Sequence, residues 1–266
     1  MRLHAQYSTN KRGLHPWVFD HLDLPAGSRV LEVGCGSGRL WLENRARIPG
    51  DWRVILGDLS GGMVRQARQA LQQCGRPFDF VALDAQALPF PDGYFDALIA
   101  NHMLYHVPNR QEAYSEFRRV LKPGGRLFAA TNGRHTMVEL DDLLHRFIPL
   151  QPGVRPFGNY FNDSFLDSGF NLEHGGAELS RWFALVSLHR YYDALIVPKA
   201  EPLVAYVRAS TDLPEDLLGE IRRYLDNLIA RTGPLRISKD VGMFEAQKAG
   251  LLGQLIEDRV AVSELA

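Results

Sequence analysis

The stretch Arg29-Val30-Leu31-Glu32-Val33-Gly34-Cys35-Gly36-Ser37-Gly38-Arg39 decides the fold. An apolar run of strand length ends on three glycines at alternate positions, and Arg39 to Ile48 continues as a helix up to Pro49-Gly50. Strand, glycine turn and helix make the first repeat of a parallel α/β sheet. A turn without Cβ atoms lets a ligand lie against the backbone, and the helix N-terminus offers free N–H groups. A tight strand-to-helix connection that binds nothing has the same pattern. Dinucleotide-binding loops place their third glycine five positions after the first, where this chain has Arg39, so the pattern is a poor pyrophosphate cradle. Glu32 interrupts the apolar strand two residues before the glycines, and a buried carboxylate needs a reason.

Working outward, the alternation of strands and helices continues. Arg53 to Gly57 reads as a second strand ending at Asp58, and Ser60 is an N-cap for a helix through Met63, Val64, Ala67 and Leu71. Phe78 to Leu83 is a third strand ending at Asp84, and Phe95 to Ala100 a fourth. Pro108 opens a helix with Tyr114, Phe117 and Val120 inward. Lys122-Pro123-Gly124-Gly125 is a turn before a fifth strand over Arg126 to Thr131. Beyond it the spacing predicts helices over Met137 to Phe147, Ala177 to Phe183 and Pro214 to Arg231, a strand over Leu185 to Ala194, and a last strand over Gly242 to Lys248. From Ile148 to Asp163 three prolines and two glycines read as a long loop.

Asp58 and Asp84 both stand at strand ends, where a carboxylate either accepts hydrogen bonds from ribose hydroxyls or caps a turn. Three acids, three glycines and no phosphate-binding lysine point to a ligand with a ribose and a cationic group. Composition narrows the classes further. The 266 residues carry 30 Lys+Arg against 31 Asp+Glu, a net charge of -1, which leaves no dense cationic face for nucleic acid. Two cysteines make neither a disulfide framework nor a zinc site, and no apolar run is long enough for a membrane span. The expectation is a soluble, reduced, cytoplasmic protein without a metal.

The order Val30-Leu31-Glu32-Val33-Gly34-Cys35-Gly36-Ser37-Gly38, Asp58, Asp84-Ala85, Phe95-Asp96-Ala97-Leu98-Ile99-Ala100 and Leu121-Lys122-Pro123-Gly124-Gly125 resembles the class I S-adenosylmethionine-dependent methyltransferases. Among them it is most similar to the small-molecule branch that includes the ubiquinone/menaquinone-biosynthesis C-methyltransferases. The resemblance covers roughly residues 28 to 131 and the last strand. It implies a doubly wound, Rossmann-like α/β fold with a mostly parallel seven-stranded sheet, a reversed last strand and a mainly helical lid insertion. The implied segments are 1–27 covering the cofactor and substrate, 28–133 as cofactor-binding core, 134–183 as lid, 184–248 as the rest of the core and 249–266 as a tail.

The cofactor implied is S-adenosylmethionine, leaving as S-adenosylhomocysteine. Glu32 would orient the loop and the cofactor's amino group, with Gly34, Cys35, Gly36 and Gly38 under the methionine part. Asp58 would bind the ribose hydroxyls, and Leu59 and Met63 would flank the adenine. Asp84 would accept from the adenine amino group, the Ala85 N–H would donate to the ring, and Asn101 would offer its carbonyl. In related enzymes the N-terminal segment folds over the cofactor, so Tyr7 or Arg12 would reach the methionine carboxylate; an exposed polar arm is the other reading.

Asn101-His102-Met103-Leu104-Tyr105-His106 follows the fourth strand, which makes His102, Tyr105 and His106 the first candidates for a general base. His102 and His106 are four apart and could share a helix face as metal ligands, but no third ligand is evident. Asn132 and His135 are second choices, with Tyr160 and Phe161 in the aromatic-rich insertion. Phe147, Phe157, Phe165, Phe170, Trp182 and Phe183 join them there and point to an apolar or aromatic small molecule as acceptor; as core of the inserted piece they would say nothing of it. The leading reading is methyl transfer to an O, N or C atom of such a molecule. A nicotinamide oxidoreductase, a non-catalytic cofactor-binding module and another chemistry with the same cofactor are the alternatives.

Overall fold

The structure is a computed structural model and describes residues 2–147 and 169–250. The chain divides into two compact units. One comprises Leu14–Thr131, His174–Arg190 and residues from Gly242 onward; the other takes the described residues of Met1–Gly13, Asn132–Glu173 and Tyr191–Val241. Each unit is assembled from three stretches far apart in sequence.

The unit that holds the glycine turn is built on parallel strands. β1 (Arg29–Val33) pairs with β2 (Arg53–Asp58) on one side and β4 (Phe95–Ile99) on the other; β2 pairs with β3 (Phe78–Ala82), and β4 with β5 (Leu121–Asn132). With β6 (Leu185–Val197) and β7 (Leu235–Gln247) the sheet order is β3-β2-β1-β4-β5-β7-β6. Because the order reverses between β1 and β4, the strand ends there leave a crevice, where such sheets take ligands. Strand β7 is the reversed one: Gly124 N–H donates to Ala249 O and Lys248 N–H to Gly125 O, so numbers fall along β7 as they rise along β5.

Val30, Leu31 and Val33 of β1 are fully buried, as expected for a strand covered on both faces, and each contributes about 1.5–3 kcal/mol by leaving water. Helices α2 (Leu14–Asp20), α3 (Arg39–Glu43) and α4 (Gly61–Leu71) share one core cluster with Val30 through Val18, Phe19, Leu40, Trp41, Ala67 and Leu71. Ser60 caps α4 as expected, its Oγ accepting from Met63 N–H at 3.4 Å. Helix α5 (Arg110–Val120) buries Tyr114, Phe117 and Val120, but its cap is Asn109 rather than a proline opening. α3 is half the expected length and ends at Asn44, whose amide folds back onto Leu40 O.

The expected turn 122–125 lies inside β5, because Ala249 and Lys248, just past the end of the reversed β7, supply partners for Gly124 and Gly125. Strand β7 begins at Leu235, earlier than expected. In the other unit, α1 (Arg2–Tyr7), α6 (Val138–Leu144), α8 (Ala200–Ser210) and α9 (Glu215–Thr232) are helical; α7 (Gly175–Leu179) belongs with the glycine-turn unit. Helices α1 and α8 were not expected from the sequence. Helix α8 carries Pro202 in its first turn and has no side-chain cap, so only its burial of Leu203, Val204 and Val207 marks it.

Candidate functional site

The three glycines do different things. All three adopt left-handed backbone, with φ of 71° at Gly34, 52° at Gly36 and 75° at Gly38, a region that other residues enter at a cost. A Cβ on Gly34 would stand 2.7 Å from Met103 Cβ, and one on Gly38 3.1 Å from Leu71 Cδ1, so both are filled from within the chain. Only Gly36 has nothing within 4 Å of that position. Between them Cys35 is buried, and burial pushes its thiol pKa well up, so it is no nucleophile.

Asp58 closes the loop. Its Oδ2 accepts from Gly36 N–H at 2.9 Å and its Oδ1 from Ser60 N–H at 2.9 Å. Both readings of Asp58 are therefore compatible: it caps the turn, and each carboxylate oxygen keeps a second acceptor site. Directly after it, Leu59 is 77% exposed and Met63 42% exposed, two apolar side chains left in water at the rim of a polar turn. Asp84 is half-buried, and its Oδ1 accepts from the N–H of Gln86 at 2.9 Å. Gln86 was not foreseen: its Nε2 donates to Asp84 at 3.1 Å while its Oε1 accepts from Asn109 N–H at 2.9 Å, so it orients the carboxylate. Ala85 is buried.

The buried Glu32 has its reason inside the core: Oε2 accepts from the indole Nε1–H of Trp41 at 2.8 Å. Burial nonetheless raises its pKa, with Trp41 and Asn101 opposing, and leaves it pushed up to about 8. The Asn101 amide is buried beside it, near enough to favour the charged carboxylate but outside hydrogen-bond geometry to any described residue.

After Asn101, His102 takes a φ of 52°, and its N–H donates to Ala130 O at 2.8 Å. Leu104–His106 form a single 3-10 turn. His102 lies before that turn, so it does not share a helix face with His106 as a metal pair requires; among the described residues no group of three His, Cys, Asp or Glu is placed to hold a metal ion. The Tyr105 ring lies 4.5 Å from His106 and 6.5 Å from His102 between centroids, and partial burial lowers the pKa of His106.

Glu32, Gly34, Cys35, Gly36, Gly38, Asp58, Leu59, Met63, Asp84, Ala85, Asn101, His102, Tyr105 and His106 thus all belong to one unit. Tyr7, Arg12, Asn132 and His135 belong to the other. There Asn132 O accepts from Leu172 N–H, and His135 is exposed. Tyr160 and Phe161, with Phe157 and Phe165, lie outside the described residues. Of the aromatics that pointed to an apolar acceptor, Phe170 and Phe183 are buried, Phe147 packs on Tyr224 and Trp182 on Tyr114. Phe170 and Phe183 are core and Phe147 and Trp182 half-buried against neighbouring rings, which removes part of that argument.

The arrangement fits a nucleoside with a cationic tail: a bare glycine edge, a carboxylate with free acceptor sites, two exposed apolar side chains and a buried acid below. No described helix is long and apolar enough to cross a membrane. Residues 31–129 match the family model of the methyltransferase domain. Over 103 residues the chain is 38% identical to the ubiquinone/menaquinone biosynthesis C-methyltransferase UbiE of Yersinia pestis, covering 38% of this chain and 41% of that one. The chain therefore spans about two fifths of the length of the curated relatives it matches. Its fold is similar to that of the YcgJ protein of Bacillus subtilis, with a TM-score of 0.59 at 19% identity over 88% of this chain and 97% of that one. A SAM-dependent methyltransferase of Methanosarcina mazei gives a TM-score of 0.51 at 22% identity over 89% and 99%. Over residues 31–129 the chain is thus similar to the methyltransferase domain family.

Proposed function

We propose that this protein moves a methyl group from S-adenosylmethionine to an oxygen, nitrogen or carbon atom of a small organic acceptor. The observation that carries this reading is the bare face of Gly36, bracketed by Asp58 and by the exposed Leu59 and Met63. The remaining acceptor sites of Asp58 take the ribose hydroxyls, and Leu59 and Met63 cover the faces of the adenine, which removes their apolar surface from water. Asp84, steadied by Gln86, accepts from the adenine amino group while the Ala85 N–H donates to the ring. Glu32, the 34–38 backbone and the Asn101 carbonyl serve the methionine part.

When bound, the cofactor supplies an activated methyl group for in-line displacement. The protein's own task is to align the acceptor and exclude water, which in favourable cases contributes roughly 7–11 kcal/mol. Where the acceptor atom carries a proton, His102, Tyr105 or His106 accepts it, a contribution of about 10²–10⁴-fold. His102 leads, because a non-glycine residue in left-handed backbone costs about 1–2 kcal/mol and such strain gathers at functional positions. The relative's name, a C-methyltransferase, favours carbon as the acceptor atom. A cytoplasmic small-molecule enzyme without nucleic-acid partners is the setting of this reading.

Calorimetric titration with S-adenosylmethionine, S-adenosylhomocysteine and NAD in parallel tests it. Binding of both adenosyl compounds with NAD silent is expected, followed by a product 14 mass units heavier in a screen of candidate acceptors, the mass of one CH₂ by roughly integer arithmetic. Binding of NAD alone would overturn the reading.

A further inference from the structure

The glycine turn and the segment carrying the base candidates are joined by one side chain. A Cβ on Gly34 would lie 2.7 Å from Met103 Cβ and 2.8 Å from its Cγ, so the stiff inner part of the Met103 side chain rests on the Gly34 α-carbon. The backbone on both sides of Met103 is anchored. His102 N–H is held by Ala130 O at 2.8 Å in left-handed conformation, and on the other side His106 N–H donates to Met103 O at 2.9 Å. Asn101, one residue before His102, has a buried amide with no hydrogen-bond partner among the described residues.

Segment 101–106 therefore meets the glycine turn through Met103, and it meets β1 where Asn101 lies beside Glu32. A ligand seated on Gly36 presses on backbone two residues from the Met103 contact. Closely packed groups transmit such displacements because no void absorbs them. A shift of the turn at Gly34 presses on Met103 Cβ and Cγ, and the Met103 backbone is tied through its carbonyl to His106 N–H and through its neighbour His102 to Ala130 O.

We infer that Met103 is a positioning residue: it passes occupancy of the glycine turn to His102, Tyr105 and His106, so that the acceptor side becomes ordered once the cofactor is in place. This rests on the cofactor reading above. It makes binding ordered, cofactor first and acceptor second.

Amide hydrogen exchange of the full chain, with S-adenosylhomocysteine as probe, reads this without an acceptor. In the wild type, saturating S-adenosylhomocysteine is expected to slow exchange in 102–107 about tenfold or more. Met103→Ala is expected to bind the probe within roughly threefold of wild type yet gain less than about twofold protection there, and Met103→Leu to restore most of it. Equal protection in Met103→Ala would overturn the role of Met103. Probe bound to the wild type with unchanged exchange in 102–107 would overturn the coupling while leaving the cofactor reading intact. No binding of the probe by the wild type would overturn both. The wild-type arms need no variant to fold.

Discussion

The indole Nε1–H of Trp41 donates to Glu32 Oε2 at 2.8 Å, with the indole wholly buried and the carboxyl nearly so. The helix that leaves the glycine turn thus supplies the donor for the acid that precedes it, across the turn itself. The turn is clamped at a second point by Asp58, which accepts from Gly36 N–H.

Trp41→Phe keeps an aromatic ring but removes the N–H donor and part of the packed volume, so the buried carboxyl loses a partner. A loss of about 1–3 kcal/mol in unfolding free energy is expected, read by urea denaturation with the slope unchanged. An unaltered midpoint would mean that the bond contributes nothing net.

Glu32 supplies a pH signature. Its pKa in the folded protein is raised to about 8 from an ordinary 4.5, so this group's contribution favours the fold below pH 4.5 and is progressively lost as pH rises toward 8. A cationic ligand group nearby favours the ionised form and expels the proton. S-adenosylhomocysteine affinity should therefore rise with pH up to about 8, by at most roughly tenfold per unit, and calorimetry in buffers of different ionisation enthalpy should detect proton release. Glu32→Gln should flatten both dependences.

Asp58→Ala removes a charged acceptor from the cofactor edge and a partner from Gly36. S-adenosylmethionine binding should weaken by about 1.5–3 kcal/mol in a chain that still folds. Unchanged affinity would reassign Asp58 to turn capping alone.

The glycines separate on the same logic. Gly34→Ala drives a methyl group into Met103 and should cost stability, seen as a lower melting temperature. Gly36→Ala meets open space, so its stability cost is only the left-handed backbone, about 1–2 kcal/mol, while its methyl group occupies the proposed ligand face. Binding of S-adenosylhomocysteine should fall more in Gly36→Ala than its stability does.

In the other unit, Asp193 has a wholly buried carboxylate that accepts from Lys239 Nζ at 2.6 Å, Ser8 Oγ at 2.6 Å and Asn10 N–H at 2.9 Å. Burial raises its pKa, but these donors outweigh it and hold it at about 2 instead of 3.8. Its contribution, on the order of 2 kcal/mol, is present above pH 3.8 and lost as pH falls through 2. Asp193→Asn should release residues 8–10 to hydrogen exchange at neutral pH, where the wild type protects them.

Much of the sheet was legible because its signals are local. β1 runs into Gly34 and β2 ends on Asp58, polar Asp84 and Asn101 stand two residues beyond β3 and β4, and Ser60 caps α4 within three residues of its partner. The turn at 122–125 was misread because its strand character comes from Ala249 and Lys248, more than a hundred residues away. Gln86 escaped notice since its value lies in bridging Asp84 to Asn109, and no spacing marks that.

What the sequence alone determined is the alternation of strand, turn and helix, the acids at strand ends and the family that residues 31–129 resemble, since these rest on residues close together in the chain. What only the tertiary structure decided is the division of labour among the glycines and the acids. Gly34 is glycine because Met103 covers it, Gly36 because its face is open, and Glu32 is tolerated because Trp41 reaches it. Sterics and desolvation act between atoms in space, and the partners in the first case stand 69 positions apart in the chain.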